Sequence, residues 1–258
     1  MEAQIVGIAV APVKAMALVH PDEVVVGAIG VIGNRRFWLR DENGRLFCSK
    51  RDGRLLQIHP EWDEASRRLA LTFPDGRLVE GRVELGEQVD ATIFGELRLS
   101  REVRGGAWAE AVSEFVGRQL ELLWAEDNGV DRLTAEGTVS FISRASLERL
   151  REELGTQRSV DARRFRMLFE IDGVGPHGED EWIGRHVQVG GAEFVITGDI
   201  GRCIVTSRDP DSGEIDMPTL AALANYRRDG HSESLTVGVK GTVYTPGHVR
   251  VGDALTLL

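Results

Sequence analysis

The sequence predicts an α+β protein that consists mainly of β-strands, with a small N-terminal β domain in residues 1–100 and a second β-rich domain with flanking helices in residues 101–258. Strand and turn patterns fill the first hundred residues, helical spacing of apolar residues begins only after Gly105-Gly106, and strand patterns return before the C-terminus. A chain of 258 residues has room for one large domain or two smaller ones. Since no repeat or low-complexity linker separates the halves, we expect them to share an interface near residues 100–106.

Short strands joined by tight turns make up the predicted N-terminal domain. Asn43-Gly44 stands between two apolar segments, and Asn-Gly is the strongest short-range signal for a β-hairpin. Pro74-Asp75-Gly76 marks a second hairpin turn. The expected strands are Ile5–Val10, Val24–Val26, Arg36–Leu39, Leu46–Cys48, Leu69–Phe73, Leu78–Val79 and Ala91–Leu99.

The second half is expected to combine three helices with further strands. Apolar residues at helical spacing predict a helix over Ala107–Leu120. Ser143 is placed to cap a second helix that ends at Gly155, and Asp216 is placed to cap a third. The expected strands are Leu120–Trp124, Val139–Ile142, Phe165–Ile171, His186–Val189, Phe194–Thr197, Thr236–Val239, Thr242–Tyr244 and Val249–Leu257.

The charge of the chain is unevenly distributed. The formal net charge is −10, which argues against nucleic acid as a partner. The first 55 residues nevertheless carry a small excess of positive charge. Their basic residues are Lys14, Arg35, Arg36, Arg40, Arg45, Lys50, Arg51 and Arg54. A basic segment in an acidic protein is suited to binding a small anion.

Composition also excludes several classes of protein. The longest apolar stretches are far shorter than the roughly 18 residues of a membrane-spanning helix. The N-terminus opens with Glu2 and has no basic region, so we expect no signal peptide and a cytoplasmic location. Two cysteines are too few for a disulfide framework, a four-thiolate zinc site or an iron–sulfur cluster.

Cys203 is the residue whose surroundings point most clearly to chemistry. No Walker, G-x-G-x-x-G, H-E-x-x-H or G-x-S-x-G motif occurs in the chain. Cys203 follows an apolar strand and lies directly after Gly201 and Arg202, so that a ligand can approach the backbone and a cation stands beside the thiol. A thiolate in such a place can bind a metal or act as a nucleophile. The alternative is that Cys203 is a small apolar residue that only fills space in the core.

The segment around Cys203 resembles the signature of the MOSC superfamily, which is named for the C-terminal domain of molybdenum cofactor sulfurase. The family pattern is approximately R-C-x-x-x-x-x-D-P-D-T-G, and residues 202–213 here read R-C-I-V-T-S-R-D-P-D-S-G. Further similar segments follow the family's order. They are Pro12–Lys14, Arg35–Trp38, Ser49–Arg51, Val139–Leu147, Asp161–Arg166, Glu181–Gly184 and Val249–Asp253. The resemblance spans nearly the whole chain and implies a MOSC β-barrel preceded by the family's N-terminal β domain.

The resemblance implies a set of roles for a molybdenum cofactor, a metal held by a pterin dithiolene that carries a phosphate. Cys203 is expected to bind the molybdenum and to act as a catalytic residue together with Asp209. The expected cofactor-binding residues are Lys14, Arg35, Arg36, Ser49, Arg164, Arg166 and Ser207. Lys14 and Arg36 match family positions that hold the pterin phosphate. Arg35 is the alternative to Arg36, because either arginine of the pair can be aligned with the family's arginine. Arg164 and Arg166, two residues apart on a strand, would face the same side.

Two functions from different classes remain open at this level. One is a reductase that takes oxygen from N-hydroxylated or related N–O and S–O substrates. The other is a carrier that delivers the cofactor, or sulfur bound to Cys203, to a client enzyme. The family's Pro-Asn after its R-R-F-R segment is replaced by Met167-Leu168, which favours the carrier, and a third alternative is a MOSC protein that binds another anion.

The resemblance also sets expectations for partners. The pyridoxal-phosphate desulfurase domain of the sulfurase has no counterpart in the chain, so pyridoxal phosphate binding belongs to the superfamily only. A ferredoxin-like extension is absent too, and electrons would come from a separate protein. We expect a monomer that meets a small-molecule substrate and either an electron donor or a client enzyme, but neither nucleic acid nor a membrane.

Overall fold

The computed structural model describes residues 3–93, 96–126, 138–231 and 233–258. The three α-helices in these residues are α1 (Trp108–Val116), α2 (Arg144–Glu153) and α3 (Thr219–Tyr226). The strands of the first half are β1 (Gln4–Ile8), β2 (Glu23–Gly27), β3 (Gly30–Val31), β4 (Phe37–Asp41), β5 (Leu46–Phe47), β6 (His59–Asp63), β7 (Arg68–Thr72), β8 (Leu78–Arg82), β9 (Glu84–Ile93) and β10 (Glu96–Arg104). Those of the second half are β11 (Leu120–Ala125), β12 (Thr138–Ser143), β13 (Phe169–Asp172), β14 (His186–Val189), β15 (Ala192–Gly201), β16 (Thr236–Thr245), β17 (Gly247–Arg250) and β18 (Leu255–Leu257). The protein is therefore mainly β, as the sequence predicts.

The largest sheet forms a nearly closed barrel. Its seven strands follow the order β1-β13-β12-β16-β15-β14-β18. The two outer strands meet because the amide of Ile5 donates to the carbonyl of Asp253 at 2.9 Å and that of Leu255 donates to Ala3 at 2.8 Å. Among the described strands of this sheet, β12 and β13 form the one parallel pair, and α2 makes the crossover between them. The rings of Phe141, Phe169 and Phe194 pack together inside the barrel.

A second sheet and the first helix form the other large core. Five strands follow the order β5-β4-β11-β10-β9, and β6, β7 and β8 form a separate three-stranded sheet beside them. Helix α1 buries Trp108 and Val112 in this core, which also contains Phe37. Strand β11 and helix α1 thus join elements of the first hundred residues, whereas β1 joins the barrel. The division of the chain at residue 100 stays a prediction.

Several local predictions are confirmed. The segments on either side of Asn43-Gly44 form the antiparallel pair β4–β5, and those on either side of Pro74-Asp75-Gly76 form the pair β7–β8. The hydroxyl of Ser143 caps α2 by accepting a hydrogen bond from the amide of Ser146 at 3.0 Å. Gly155 follows this helix with a left-handed φ of 62°.

The predicted strand Phe165–Ile171 is wrong in its first half. The carboxylate of Asp161 accepts a hydrogen bond from the amide of Arg163 at 2.8 Å and starts a 3₁₀ turn over Ala162–Phe165. Arg166 then takes a left-handed conformation with a φ of 55°, and the strand begins only at Phe169. Arg164 and Arg166 therefore do not lie on a strand.

Three other local predictions are corrected. Ala91–Leu99 is divided between β9 and β10, an antiparallel pair in which Ile93 lies opposite Glu96. Val249–Leu257 is divided between β17 and β18, and Gly252 lies between them with a φ of 94°. Asp216 caps no helix, because α3 begins at Thr219 without a side-chain cap and the Asp216 carboxylate instead pairs with two arginines.

None of the helices in the described part of the chain has the length and apolar character needed to cross a membrane.

Candidate functional site

A cleft of about 160 Å³ lies between the barrel and the five-stranded sheet. One wall comes from the first fifty residues. The other comes from Ser140 on β12, the segment before β13, and the end of β15 with the residues that follow it. Of the nine site residues predicted from the sequence, six line this cleft. They are Lys14, Arg35, Ser49, Arg164, Arg166 and Cys203.

The lining of the cleft is strongly cationic although the chain as a whole is acidic. Two further basic residues, Lys50 and Arg202, line it beside the four that the sequence analysis proposed. Among the described residues, no aspartate or glutamate lines the cleft. Basic side chains gathered without carboxylates bind an anion, and guanidinium groups suit phosphate in particular.

Lys14 and Arg35 come together because two short chain segments run side by side. Val13 and Phe37 are fully buried and form a parallel bridge, and the amide of Lys14 donates to the carbonyl of Phe37 at 2.8 Å. The amide of Arg35 donates to the carbonyl of Ala11 at 2.6 Å. The buried residues Val13 and Phe37 hold the two segments together. Lys14 on one segment and Arg35 on the other therefore both line the cleft.

Arg36 takes a different direction from its neighbour. Its guanidinium carbon lies 4.7 Å from the centre of the Trp124 ring, in a cation–π contact. One of its nitrogens approaches the carbonyl of Ala125 at 3.4 Å. Arg36 is not among the residues that line the cleft, and Arg35 is.

Arg164 is buried and already pairs with two carboxylates, closely with Asp216 and at 3.5 Å with Asp209. Its two terminal nitrogens donate to the carboxylate oxygens of Asp216 at 2.6 and 2.9 Å, and one of them also donates to the carbonyl of Arg208 at 2.7 Å. This pairing keeps the pKa of Asp216 below its usual range, against the effect of burial. The Nε of Arg164 is buried and has no hydrogen-bond partner among the described residues. Buried donors of this kind are normally hydrogen-bonded, so this atom is suited to an acceptor on a bound ligand.

Arg166 and Arg202 complete the cationic wall. The left-handed turn at Arg166 places its carbonyl within 2.9 Å of a terminal nitrogen of Arg35, which joins the two walls. Arg202 donates to the carbonyls of Val237 at 2.9 Å and Phe165 at 3.2 Å. Arg202 is not one of the nine predicted site residues, although its position next to Cys203 was a usable signal.

Cys203 is a free, half-buried thiol at the end of β15. It begins a short 3₁₀ turn over Ile204–Ser207, and its carbonyl accepts hydrogen bonds from the amide and the hydroxyl of Thr206, both at 3.0 Å. On the other side of Cys203, the amide of Arg202 donates to the carbonyl of Leu235 at 3.1 Å, so backbone hydrogen bonds hold the chain before and after the thiol. Cys48, the second free cysteine, lines the same cleft, which the sequence analysis did not foresee.

Ser207 and Asp209 lie near Cys203 in sequence but do not line the cleft. The buried hydroxyl of Ser207 bonds to the hydroxyl of Thr219 at 2.8 Å, at the start of α3. Asp209 accepts hydrogen bonds from the amides of Asp211 and Ser212, and these bonds, with one from Arg158, lower its pKa to about 2. Both residues shape the loop that follows the thiol.

The replacement of the family's Pro-Asn has two separate structural consequences. Leu168 is buried in the barrel core, where its amide donates to the hydroxyl of Ser140 at 2.9 Å. Met167 lines the cleft, and its sulfur lies 3.0 Å from a terminal nitrogen of Arg202. Together with Phe165, Ile200 and Val205, Met167 makes the lining near Cys203 partly apolar.

Two family models match consecutive parts of the chain. The MOSC N-terminal beta barrel domain matches residues 2–121, and the MOSC domain matches residues 128–256. Similar proteins include the mitochondrial amidoxime-reducing component 1 of Homo sapiens, 26% identical over 96% of this chain and 80% of that protein. The protein of the same name from Mus musculus is 36% identical over 45% of this chain and 35% of that protein.

Two further similar proteins differ from this chain more strongly, one in its total length and the other in its sequence. The molybdenum cofactor sulfurase of Danio rerio is 26% identical over 88% of this chain, which spans 30% of that protein. The crystal structure of the YUAD protein from Bacillus subtilis aligns over 100% of this chain and 96% of its own with a TM-score of 0.50 at 14% identity, a likeness of fold. The chain thus spans about a third of two of these relatives. With both domain models matched in order, the chain belongs to the MOSC family, with the N-terminal β-barrel domain that precedes MOSC.

Proposed function

We propose that the cleft binds the molybdenum cofactor and that Cys203 is the protein ligand of the metal. The observation that carries the proposal is the lining of the cleft, which combines six basic residues with a thiol and has no carboxylate among the described residues. The donor set fits the group: a phosphate matches the cations, and a soft thiolate suits the metal. The buried Nε of Arg164, which has no partner within the described ranges, also fits an anionic occupant.

The two walls have different roles in this proposal. Lys14, Arg35 and Ser49 on the N-terminal wall hold the phosphate, and Arg164 and Arg166 add positive charge from the opposite wall. We assign the phosphate to Arg35 and not to Arg36, because Arg35 lines the cleft. Ser207 and Asp209 act through the loop that positions Cys203, not by contact with the ligand.

We further propose that the protein is a reductase of N-hydroxylated or related N–O and S–O substrates. Relatives that match most of this chain are named amidoxime-reducing components. The cofactor supplies two-electron oxygen transfer when it is bound. The chain contributes the orientation of the ligand and a partly apolar wall beside Cys203, formed by Phe165, Met167, Ile200 and Val205, which limits the access of water.

A carrier of the cofactor or of sulfur is the second candidate function. The observation that favours it is Cys48, a second free thiol in the cleft that contains Cys203. Some of the similar proteins are named molybdenum cofactor sulfurases. In this function the protein would release its ligand to a client enzyme instead of turning over a substrate.

The partners follow from these two functions. The reductase requires a separate electron-donor protein, and the carrier requires an enzyme that accepts the cofactor. We propose a cytoplasmic monomer without nucleic acid or membrane partners, in keeping with the net charge of −10.

Expression in a molybdopterin-producing host tests the proposal. We expect close to one molybdenum and one pterin per chain, measured by elemental analysis and by the fluorescence of the oxidised pterin. Steady turnover of an N-hydroxylated substrate with an artificial electron donor would identify the reductase. Stoichiometric transfer of molybdenum to an apo-enzyme without turnover would identify the carrier. A chain that contains neither metal nor pterin refutes the reductase and the cofactor carrier.

A further inference from the structure

The two walls of the cleft are joined at its edge by a contact between two glycines. Gly53 follows the wall segment that contains Ser49 and Lys50, and Gly213 ends the loop that follows Cys203. A Cβ atom placed on Gly53 would overlap the carbonyl oxygen of Gly213, and one placed on Gly213 would overlap that of Gly53. Gly213 also has a left-handed φ of 75°. The two backbone segments therefore touch at a place where neither Gly53 nor Gly213 has room for a side chain.

Arg208 connects both sides of this contact. One terminal nitrogen donates to the carbonyl of Gly213 at 2.7 Å, and the other approaches the carbonyl of Lys50 at 3.5 Å. The side-chain amide of Gln57 donates to the carbonyl of Ser212 and adds a second bond across the same edge. The contact thus combines close backbone packing with hydrogen bonds from side chains of both walls.

Arg208 is also connected to the interior of the cleft. Its own carbonyl accepts a hydrogen bond from the buried Arg164, which lines the cleft. It lies five residues after Cys203, and the Lys50 carbonyl that it approaches is adjacent to Ser49. A shift of Arg208 would therefore move residues on both walls.

We propose that Arg208, Gly53 and Gly213 form a clamp that sets the separation of the two walls, with Arg208 as a positioning residue for the ligand. The part of this inference that concerns the ligand rests on the proposed function. The mechanical part does not, since it concerns the chain alone. Weakening the clamp is expected to loosen residues 49–57 together with residues 209–216 and to speed the loss of a bound cofactor.

Hydrogen exchange on the ligand-free chain tests the mechanical part. In Arg208→Met, amides in residues 49–57 and 209–216 are expected to exchange at least tenfold faster than in the wild type. Arg158→Met is the matched control, because Arg158 holds the same loop through Asp209 at 2.8 Å and Asp216 at 2.6 Å. Within the described residues it makes no hydrogen bond or ion pair with the N-terminal wall. In this control, residues 49–57 should exchange at the wild-type rate. Wild-type exchange of residues 49–57 in Arg208→Met overturns the clamp.

A glycine substitution tests the same clamp with Arg208 intact and covers the case in which Arg208→Met does not fold. Gly53→Ala inserts a Cβ into the contact and is expected to speed exchange in the same two segments. Gly175→Ala is its control, since a Cβ there meets nothing within 4 Å. Equal exchange in the two alanine variants contradicts the proposal.

Cofactor retention tests the functional part. Chains loaded in a molybdopterin-producing host are dialysed well below their melting temperature, and molybdenum per chain is followed with time. Arg208→Met is expected to lose molybdenum at least tenfold faster than Arg158→Met. Equal rates overturn the positioning role. A wild type that never acquires molybdenum refutes the proposed function and leaves the exchange result as the test of the clamp.

Discussion

At the scale of single residues, the thiol of Cys203 is the atom on which the proposed function depends most directly. Cys203→Ala is expected to abolish turnover and to lower bound molybdenum. It should cost about 1 kcal/mol or less in the free energy of unfolding, because it removes one half-buried atom at the wall of a cleft. Activity, molybdenum content and urea unfolding are the measurements.

Cys48→Ala is the matched control for this substitution, as it removes the other free thiol of the same cleft. We expect it to retain molybdenum and turnover if the protein is a reductase. Unfolding of Cys203→Ala, or a normal metal content in it, would assign Cys203 to packing instead of ligand binding.

The cations of the N-terminal wall are expected to act through charge. Arg35→Ala and Lys14→Ala should each speed the loss of the cofactor several-fold, and the loss should quicken further at high salt because ions screen the attraction that remains. Arg40→Ala is the control, since Arg40 lies on β4 and pairs with Glu121 away from the cleft. Retention of molybdenum during dialysis at low and at high salt gives the comparison. Equal retention in all three variants would contradict the assignment.

At the scale of elements, helix α2 depends on a buried carboxyl group from another part of the chain. One oxygen of Glu179 accepts hydrogen bonds from the hydroxyl of Ser146 at 2.7 Å and the amide of Ser143 at 3.2 Å. The other oxygen is buried and has no partner in the part of the chain that the structure describes. Burial raises the pKa of Glu179 above its ordinary 4.5, and the hydrogen bonds only partly oppose this. The folded protein therefore holds this proton to a higher pH than the unfolded chain.

This raised pKa predicts how stability depends on pH. The contribution of Glu179 is fully present below about pH 4.5 and is lost as the pH rises through the folded pKa. Glu179→Gln keeps the shape and is expected to flatten this dependence, whereas Glu179→Ala should cost about 1–3 kcal/mol because it leaves the Ser146 hydroxyl without its acceptor. Urea unfolding between pH 4 and pH 8 is the measurement. Identical pH profiles for the wild type and Glu179→Gln would contradict it.

At the scale of the whole molecule, the barrel depends on the first strand of the chain. Ile5 and Ile8 of β1 are buried in the barrel core, and β1 closes the sheet between β13 and the C-terminal segment. A fragment of residues 101–258 is therefore expected to unfold without a cooperative transition, because it lacks one of the seven strands. Circular dichroism during heating tests this, with the full chain as the control. A sharp transition in the fragment would show that the barrel forms without β1.

Local sequence patterns predicted some features of the structure and not others. The hairpin at Asn43-Gly44 and the Ser143 cap were predictable because each depends on residues a few positions apart. The direction of Arg164 was not predictable, since Asp161 starts a 3₁₀ turn in place of the expected strand. The guanidinium of Arg164 then pairs with Asp216, 52 residues after Arg164. The choice between Arg35 and Arg36 depends on the bridge between Val13 and Phe37, which no local pattern contains.

The sequence by itself determined the family, the predominance of strands, and the residue types of the site: a cysteine after a strand, a D-P-D-S-G loop, and basic residues near the N-terminus. These are properties of short segments, in which backbone preference and side-chain chemistry act locally. Only the tertiary structure decided that β1 closes the barrel, that Arg35 faces Cys203 across one cleft, and that Gly53 meets Gly213 beside Arg208. Such contacts join residues more than a hundred positions apart, and their formation depends on how whole sheets pack, so no local pattern can encode them.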